Sequence, residues 1–354
     1  MTSAMQEMLI DPAEMQDTAR RFLTEKVDRR APWEGKGGTA EALEAELSAL
    51  GWYQLAAPEA SGGLGQRFDV LAPIYEELGR SLAPSWLSTT MAAVDGLDAV
   101  GGDNAAGVIA GVIDQSWRIA PIILPKGQGL DGASLPAVPG AVGATHLLVV
   151  DPAGGSAWLI ASSAPGVAIN RVETWDFGRS YGEVALTGVT QVMYRFASDL
   201  LLPALQAHAE LALAWDSVGA ATQSLTETVD YMLGRQQFGR PIASFQALKH
   251  RAADHKVAIE LARSLSTQAS NVFAVRGKGW AVLAAQARIL ACDAFAAMAE
   301  DSIQLFGGVG FTWEYNPHLF LKRALMNRII GGSSDDLRDR IATDVCRQAL
   351  ASAH

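Results

Sequence analysis

Apolar residues recur along this chain in two rhythms, and the changes of rhythm divide it into three blocks. Residues 1–117 carry helical spacing. Asp11-Pro12-Ala13-Glu14 combines an N-cap side chain, a first-turn proline and a carboxylate three residues after the cap. Together they satisfy free backbone N–H groups and start a helix. Thr39 is placed to cap a second helix, with Leu43, Leu47 and Leu50 along one face and Gly51 as its stop. After the loop at Pro58 and Ser61-Gly62-Gly63-Leu64-Gly65, a third helix runs from Phe68 to Gly79 and a fourth from Ser85 to Val100. From Arg118 the apolar runs shorten: Ile122 to Leu124, His146 to Val150, Ala157 to Ala161, Val167 to Arg171 and Glu183 to Leu186. Turn residues separate them, as in Asp151-Pro152-Ala153-Gly154-Gly155 and Asp176-Phe177-Gly178, which predicts a small β-rich domain. From Leu202 the helical rhythm returns over 204–233, 244–275 and 278–304, with Phe245, Leu248, Ala252 and Ile259 sharing one face. The fold class is α+β: a helical domain 1–117, a β-domain 118–200 and a helical bundle 201–354.

Composition narrows the classes of function. The chain has 354 residues, 49% hydrophobic and 19% charged, so it folds around a large core. Its net charge of −10 argues against non-specific nucleic-acid binding. Cys292 and Cys346 lie far apart, give neither a disulfide framework nor a metal spacing, and fit a reducing cytoplasm. The N-terminal stretch lacks the basic-then-apolar profile of a signal peptide, so a cytoplasmic location is expected. The apolar run Ala281 to Met298 is broken by Gln286, Arg288 and Asp293 and reads as a buried helix, not a membrane span.

Two stretches stand out chemically. At Arg235–Pro241 a guanidinium and two amides crowd beside Phe238 at a Gly-Pro break between helices. The planar fork of Arg235 suits a phosphate and Phe238 suits a flat ring, while a plain helix C-terminus explains the arginine equally well. At Gln304–Glu314 three glycines in four positions allow close backbone approach to a ligand, or make a loop between helices.

Read together, RQQFGRPIASFQALKHRAAD and QLFGGVGFTWEYNPHLFLKRA resemble the two signatures of the acyl-CoA dehydrogenase family. LSALGWYQLAAPEASGGLG and IYEELGRSLAP look like that family's N-terminal domain, so the resemblance spans nearly the whole chain. It implies a C-terminal four-helix bundle and an FAD shared across a subunit interface. Arg235, Gln237, Phe238, Gln304, Gly307 and Gly308 match the positions that touch a neighbour's cofactor. His250 and His318 fall where the family commonly has histidine and need no catalytic role.

The departures from the family pattern are equally informative. A glutamate usually removes the α-proton of the thioester, from a motif like Tyr-Glu-Gly-Thr. Gly331 occupies that position here, within Arg328–Arg338. Some members place the glutamate on the helix before the first signature, where Ala209 stands with His208 and Glu210 beside it. Glu210 is the alternative base, and Asp335 and Asp336 read as helix N-terminal charges. In the middle domain Lys126-Gly127-Gln128-Gly129 replaces the flavin-holding Thr-Glu loop, and Trp158 lies too late to serve as the Trp-x-Thr strand. The resemblance therefore implies a non-catalytic subunit that completes the FAD site of a glutamate-bearing homologue. The assembly would be α2β2, of the kind that oxidises steroid side-chain acyl-CoA and passes electrons to a flavoprotein. No metal, nucleic acid or membrane insertion is expected. Two alternatives stay open: a homo-oligomeric flavoenzyme with glutamate-independent chemistry (lyase or oxygenase), and a non-enzymatic interaction protein.

Overall fold

A computed structural model describes residues 10–34, 40–153 and 155–352, with the side chains of 343, 344 and 347–352 left aside. Thr39 and Gly154 lie outside the described residues. The chain forms two compact units. Among the described residues, one comprises 10–11, 30–71 and 84–209; the other comprises 12–29, 72–83 and 210–352.

The first unit holds helices α2 (Ala31–Glu34), α3 (Ala40–Ala49), α5 (Leu87–Asp98) and α6 (Gly102–Ile113), and the start of α4 (Phe68–Arg80). In α3, Leu43 and Leu47 are buried as the spacing predicts, whereas Leu50 is exposed beyond the helix end, where Gly51 turns the chain at φ +76°. A buried carboxylate organises this region. Glu44 accepts hydrogen bonds from Ser85 Oγ at 2.6 Å, the Trp86 N–H at 2.7 Å and the Tyr53 hydroxyl, and Ser85 Oγ in turn accepts the Leu87 N–H at 3.1 Å at the start of α5. Burial pushes its carboxyl above the usual range, against the pull of those donors and of Arg118.

Seven strands follow: β1 (Ile119–Ile123), β2 (Ala133–Pro139), β3 (His146–Val150), β4 (Ser156–Ala161), β5 (Val167–Val172), β6 (Tyr181–Leu186) and β7 (Tyr194–Ala197). They form a sheet ordered β1-β3-β4-β7, with β1 and β3 parallel, and an antiparallel sheet ordered β2-β6-β5. Leu147 and Val149 of β3 pack with Ile122, Ile160, Val184 and Leu186 in a shared core. Five of the strands follow the predicted runs. β2 and β7 do not, because Pro136 and Pro139 interrupt the first and the second is only four residues long.

The second unit is helical: α1 (Pro12–Lys26), the latter part of α4, residues 210–234 of α7 (Leu201–Gly234), α8 (Gln246–Ala274), α9 (Trp280–Phe306), α10 (Pro317–Ile329) and α11 (Ser334–Ser352). Helix α9 is long and apolar enough to cross a membrane by composition, but half of that stretch is buried, and its Arg288 is 4% exposed. It is the central helix of the bundle. Helix α11 is seated on α9 through Leu337 and Ile341 against Ala285. The α4–α7 crossing is closed by glycines: a Cβ on Gly219 would lie 1.8 Å from the Glu76 carbonyl oxygen, and one on Gly79 2.0 Å from that of Asp216. Beside it, fully buried Glu77 pairs with Arg20 at 2.8 Å and with Arg80. Ile259 of the predicted α8 face is buried, and Phe245, Leu248 and Ala252 are half-buried.

Candidate functional site

The stretch after α7 is a projecting arm. Gln236–Gln237 and Arg240–Pro241 (β8 and β9) pair as a minimal antiparallel hairpin. Its two central residues, Phe238 and Gly239, have φ of +53° and +77°, as a two-residue type I′ turn requires. Glycine adopts this freely, but phenylalanine does so at a cost of about 1–2 kcal/mol. The strained Phe238 is 92% exposed at the tip. Arg240 stacks on Phe245 at 4.1 Å, stiffening the base of the arm. Arg235, Gln236 and Gln237 are all exposed, and the Arg235 side chain has no ion-pair partner among the described residues.

The second signature begins as α9 ends. Gln304 is exposed in the last helical turn. Gly307 (φ +67°) and Gly308 have nothing within 4 Å of where a Cβ would stand, so their backbone is open to a ligand. Gly310 differs: a Cβ there would meet the Ile303 carbonyl oxygen at 2.8 Å, so its smallness serves packing. Arm and glycine turn lie in the same unit and are joined by an aromatic cluster that sequence reasoning missed. Tyr231 stacks on Phe306 at 4.1 Å, and Tyr315 meets both edge-on at 5.5 and 5.4 Å. The legible signal was position: Tyr231 precedes Arg235 by one helical turn, and Phe306 adjoins Gly307. His250 is exposed, while His318 is buried with its ring 4.9 Å from Trp313.

These residues suit the diphosphate half of a dinucleotide. They offer a cation, amides, open backbone and an exposed ring, all outward-facing. The region matched to the flavin-ring half offers less. Gln128 folds back on its own loop, its side chain donating to the Gly132 carbonyl at 3.2 Å. Trp158 belongs to β4 and packs against the inter-sheet core.

Gly331 sits in the turn between α10 and α11 at φ +69°, followed by Gly332 at +110°. Beneath it, buried Arg288 donates to the carbonyl oxygens of Gly332, at 2.7 Å, and Ile330. A Cβ on Gly331 would stand 3.6 Å from Nη1 of that guanidinium. Glu210 is buried, and its Oε1 accepts from Arg340 of α11. Its Oε2 has no hydrogen-bond partner among the described residues. Burial raises the Glu210 carboxyl, opposed by Arg340 and Arg288. His208, in the other unit, is fully buried, with Nδ1 against Asp95 and Phe68 edge-on at 4.9 Å. Asp335 and Asp336 lie in the first turn of α11, where Asp336 accepts from Ser333 N–H at 2.8 Å and Oγ at 2.7 Å, a capping box. Among the described residues no cluster could hold a metal ion.

A helical domain, two small sheets and a helical bundle carrying an exposed arm beside open-backbone glycines make up a mixed α and β fold with one candidate ligand surface in its helical unit. Residues 11–104 match the acyl-CoA dehydrogenase N-terminal domain, and residues 206–346 its C-terminal domain. The chain is 34% identical to acyl-CoA dehydrogenase IpdE2 of Mycobacterium tuberculosis over 78% of its own length and 77% of that protein's. It is 30% identical to acyl-CoA dehydrogenase FadE34 of the same organism over 86% of its length, but spans only 42% of FadE34. The solved Tcur3481–Tcur3483 steroid ACAD is similar at a TM-score of 0.83 and 27% identity, over 96% of this chain and 98% of that one. The chain belongs to the acyl-CoA dehydrogenase family.

Proposed function

We propose that this chain is the non-catalytic subunit of a heteromeric, FAD-dependent acyl-CoA dehydrogenase, in which it completes the flavin site of a homologous subunit that carries the glutamate. One observation carries the reading. The cofactor-directed surface of Arg235, Gln237, Phe238, Gln304, Gly307 and Gly308 is intact and faces outward, while the position expected of the base is Gly331 over Arg288. A carboxylate is absent where the proton would be taken, and a cation stands nearby. Glu210 is a poor substitute because Arg340 already holds its carboxylate.

When bound, FAD supplies the hydride acceptor for α,β-dehydrogenation of an acyl-CoA thioester. This chain's own contribution is binding. The Arg235 guanidinium neutralises diphosphate charge, Gln237 and Gln304 donate amide hydrogen bonds, and Gly307 and Gly308 allow close approach. Phe238 shields the group from water. The assembly is α2β2 in the cytoplasm, with a steroid side-chain acyl-CoA as substrate and an electron-accepting flavoprotein as oxidant. The resemblance to a steroid ACAD described as a pair of chains supports both the substrate class and the second subunit.

The test is to purify the tagged chain alone and from its native host, then count flavins and subunit types. The isolated chain is expected to carry little FAD, and the native complex a single FAD for each pair of different chains. Arg235→Ala is expected to weaken FAD retention by the complex about tenfold or more, the scale of a charge-assisted hydrogen bond. Stoichiometric FAD with dehydrogenase activity in the isolated chain would overturn the proposal. Stoichiometric FAD without that activity would favour a homo-oligomeric lyase or oxygenase.

A further inference from the structure

Two separate segments must present one surface if this chain is to grip a diphosphate: the arm after α7 and the glycine turn after α9. Each is a short element: the glycine turn is a five-residue 3-10 helix, Gly307–Phe311, and the arm is stiffened at its base by Arg240 on Phe245. The arm is two residue pairs long, and Gly307 has a wide conformational range. Something must fix the spacing between them.

Tyr231 is in contact with both. Its carbonyl accepts the Arg235 N–H at 2.9 Å, which ties it to the base of the arm. Its ring stacks on Phe306 at an interplanar angle of 13°. Its hydroxyl donates to the Phe306 carbonyl oxygen at 3.2 Å. That carbonyl belongs to the peptide joining Phe306 to Gly307. Standing at the end of α9, it lies among the carbonyls that have no partner within the helix. The hydroxyl therefore adds a side-chain donor to the carbonyl that also opens the short 3-10 helix Gly307–Phe311, and ties Tyr231 to the peptide that leads into it. The edge of Tyr315 closes over both rings and holds the stack in place.

We propose that Tyr231 is a positioning residue for cofactor retention: through its hydroxyl it locks the Phe306–Gly307 peptide to the arm, so that Arg235 and the Gly307–Gly308 backbone address the same ligand together. The inference rests on the proposed function, which assigns FAD to this surface. The conservative variant Tyr231→Phe isolates it, because it keeps the stack and removes only the hydrogen bond.

The experiment uses the complex purified from its native host through the tagged full chain, carrying wild-type sequence, Tyr231→Phe or Arg235→Ala. The rate of FAD loss on dilution and the thermal midpoint are read for each. Tyr231→Phe is expected to speed FAD loss about fivefold, the scale of one hydrogen bond, with the midpoint moving by less than about 2 °C. Unchanged FAD loss in Tyr231→Phe, with rapid loss in Arg235→Ala, overturns the role of Tyr231 and leaves the proposed function standing. A fall in the midpoint that parallels the FAD loss also overturns it, since the tyrosine would then be supporting the fold. Unchanged FAD loss in Arg235→Ala removes the proposed function, and the role of Tyr231 falls with it.

Discussion

Gly331 meets one conformational demand, and a cation stands beside it at ordinary contact distance. Its left-handed backbone costs any other residue about 1–2 kcal/mol. Its open side faces the Arg288 guanidinium. A glutamate introduced at 331 therefore finds a cation that favours its ionised form and lowers its appetite for protons. Gly331→Glu is expected to leave the exchange of acyl-CoA α-protons by the native complex at its wild-type rate, read by deuterium incorporation. A clear rise would mean that this turn can present a base after all. Glu44 makes a different residue-scale prediction. Burial raises its carboxyl, so the folded state holds that proton more tightly than the unfolded state does. Its contribution to stability is then full below the unfolded value of about 4.3 and is lost as pH rises through the raised folded value. Glu44→Gln keeps an acceptor for Ser85 and Trp86 but cannot ionise. Its thermal midpoint relative to wild type is expected to climb from pH 4 to pH 7, and a constant offset would show that Glu44 does not titrate differently in the two states. Only part of this was readable beforehand. Gly331 is legible in the sequence and its reading as the site of a missing base rests on the resemblance, whereas Arg288 lies more than forty residues away and only folding brings it beneath the turn.

At the scale of elements, the α4–α7 crossing depends on two glycines that leave no room for a side chain. Gly219→Ala would press a methyl group against the Glu76 carbonyl, a backbone atom that no rotamer change can move. Overpacking of this kind costs about 1–3 kcal/mol or more. Gly107 in α6 offers the contrast: it is exposed, with nothing within 4 Å of its missing Cβ. Gly107→Ala is expected to gain about 0.5–1 kcal/mol from helix propensity. Urea midpoints of the two variants should therefore move in opposite directions, and a neutral Gly219→Ala would mean that the helices can part without loss. Long helices and buried strands could be read from periodicity because each repeats one signal many times, as Leu43 and Leu47 do, or β3 with all five residues buried. The minimal hairpin, β2 and β7 could not. Two paired residues carry no period, and the prolines of β2 speak against a strand that edge placement then permits.

For the whole molecule, the α–β–α order follows from rhythm alone, and the outward-facing signatures follow from the resemblance. What joins them is visible only in three dimensions: the Tyr231–Phe306–Tyr315 cluster draws together residues from α7, α9 and the turn before α10. The exposed tip of the arm has a consequence of another kind. A phenylalanine left 92% in water on a strained turn offers an aromatic face that a partner can cover. Under the proposed function the cover is another gene product, so every unmatched copy of this chain is an adhesive surface to the cell's quality control. Dosage balance follows: surplus chain made without its counterpart should be cleared faster than the same chain made in step with it, and a pulse-chase of the two conditions would measure the difference.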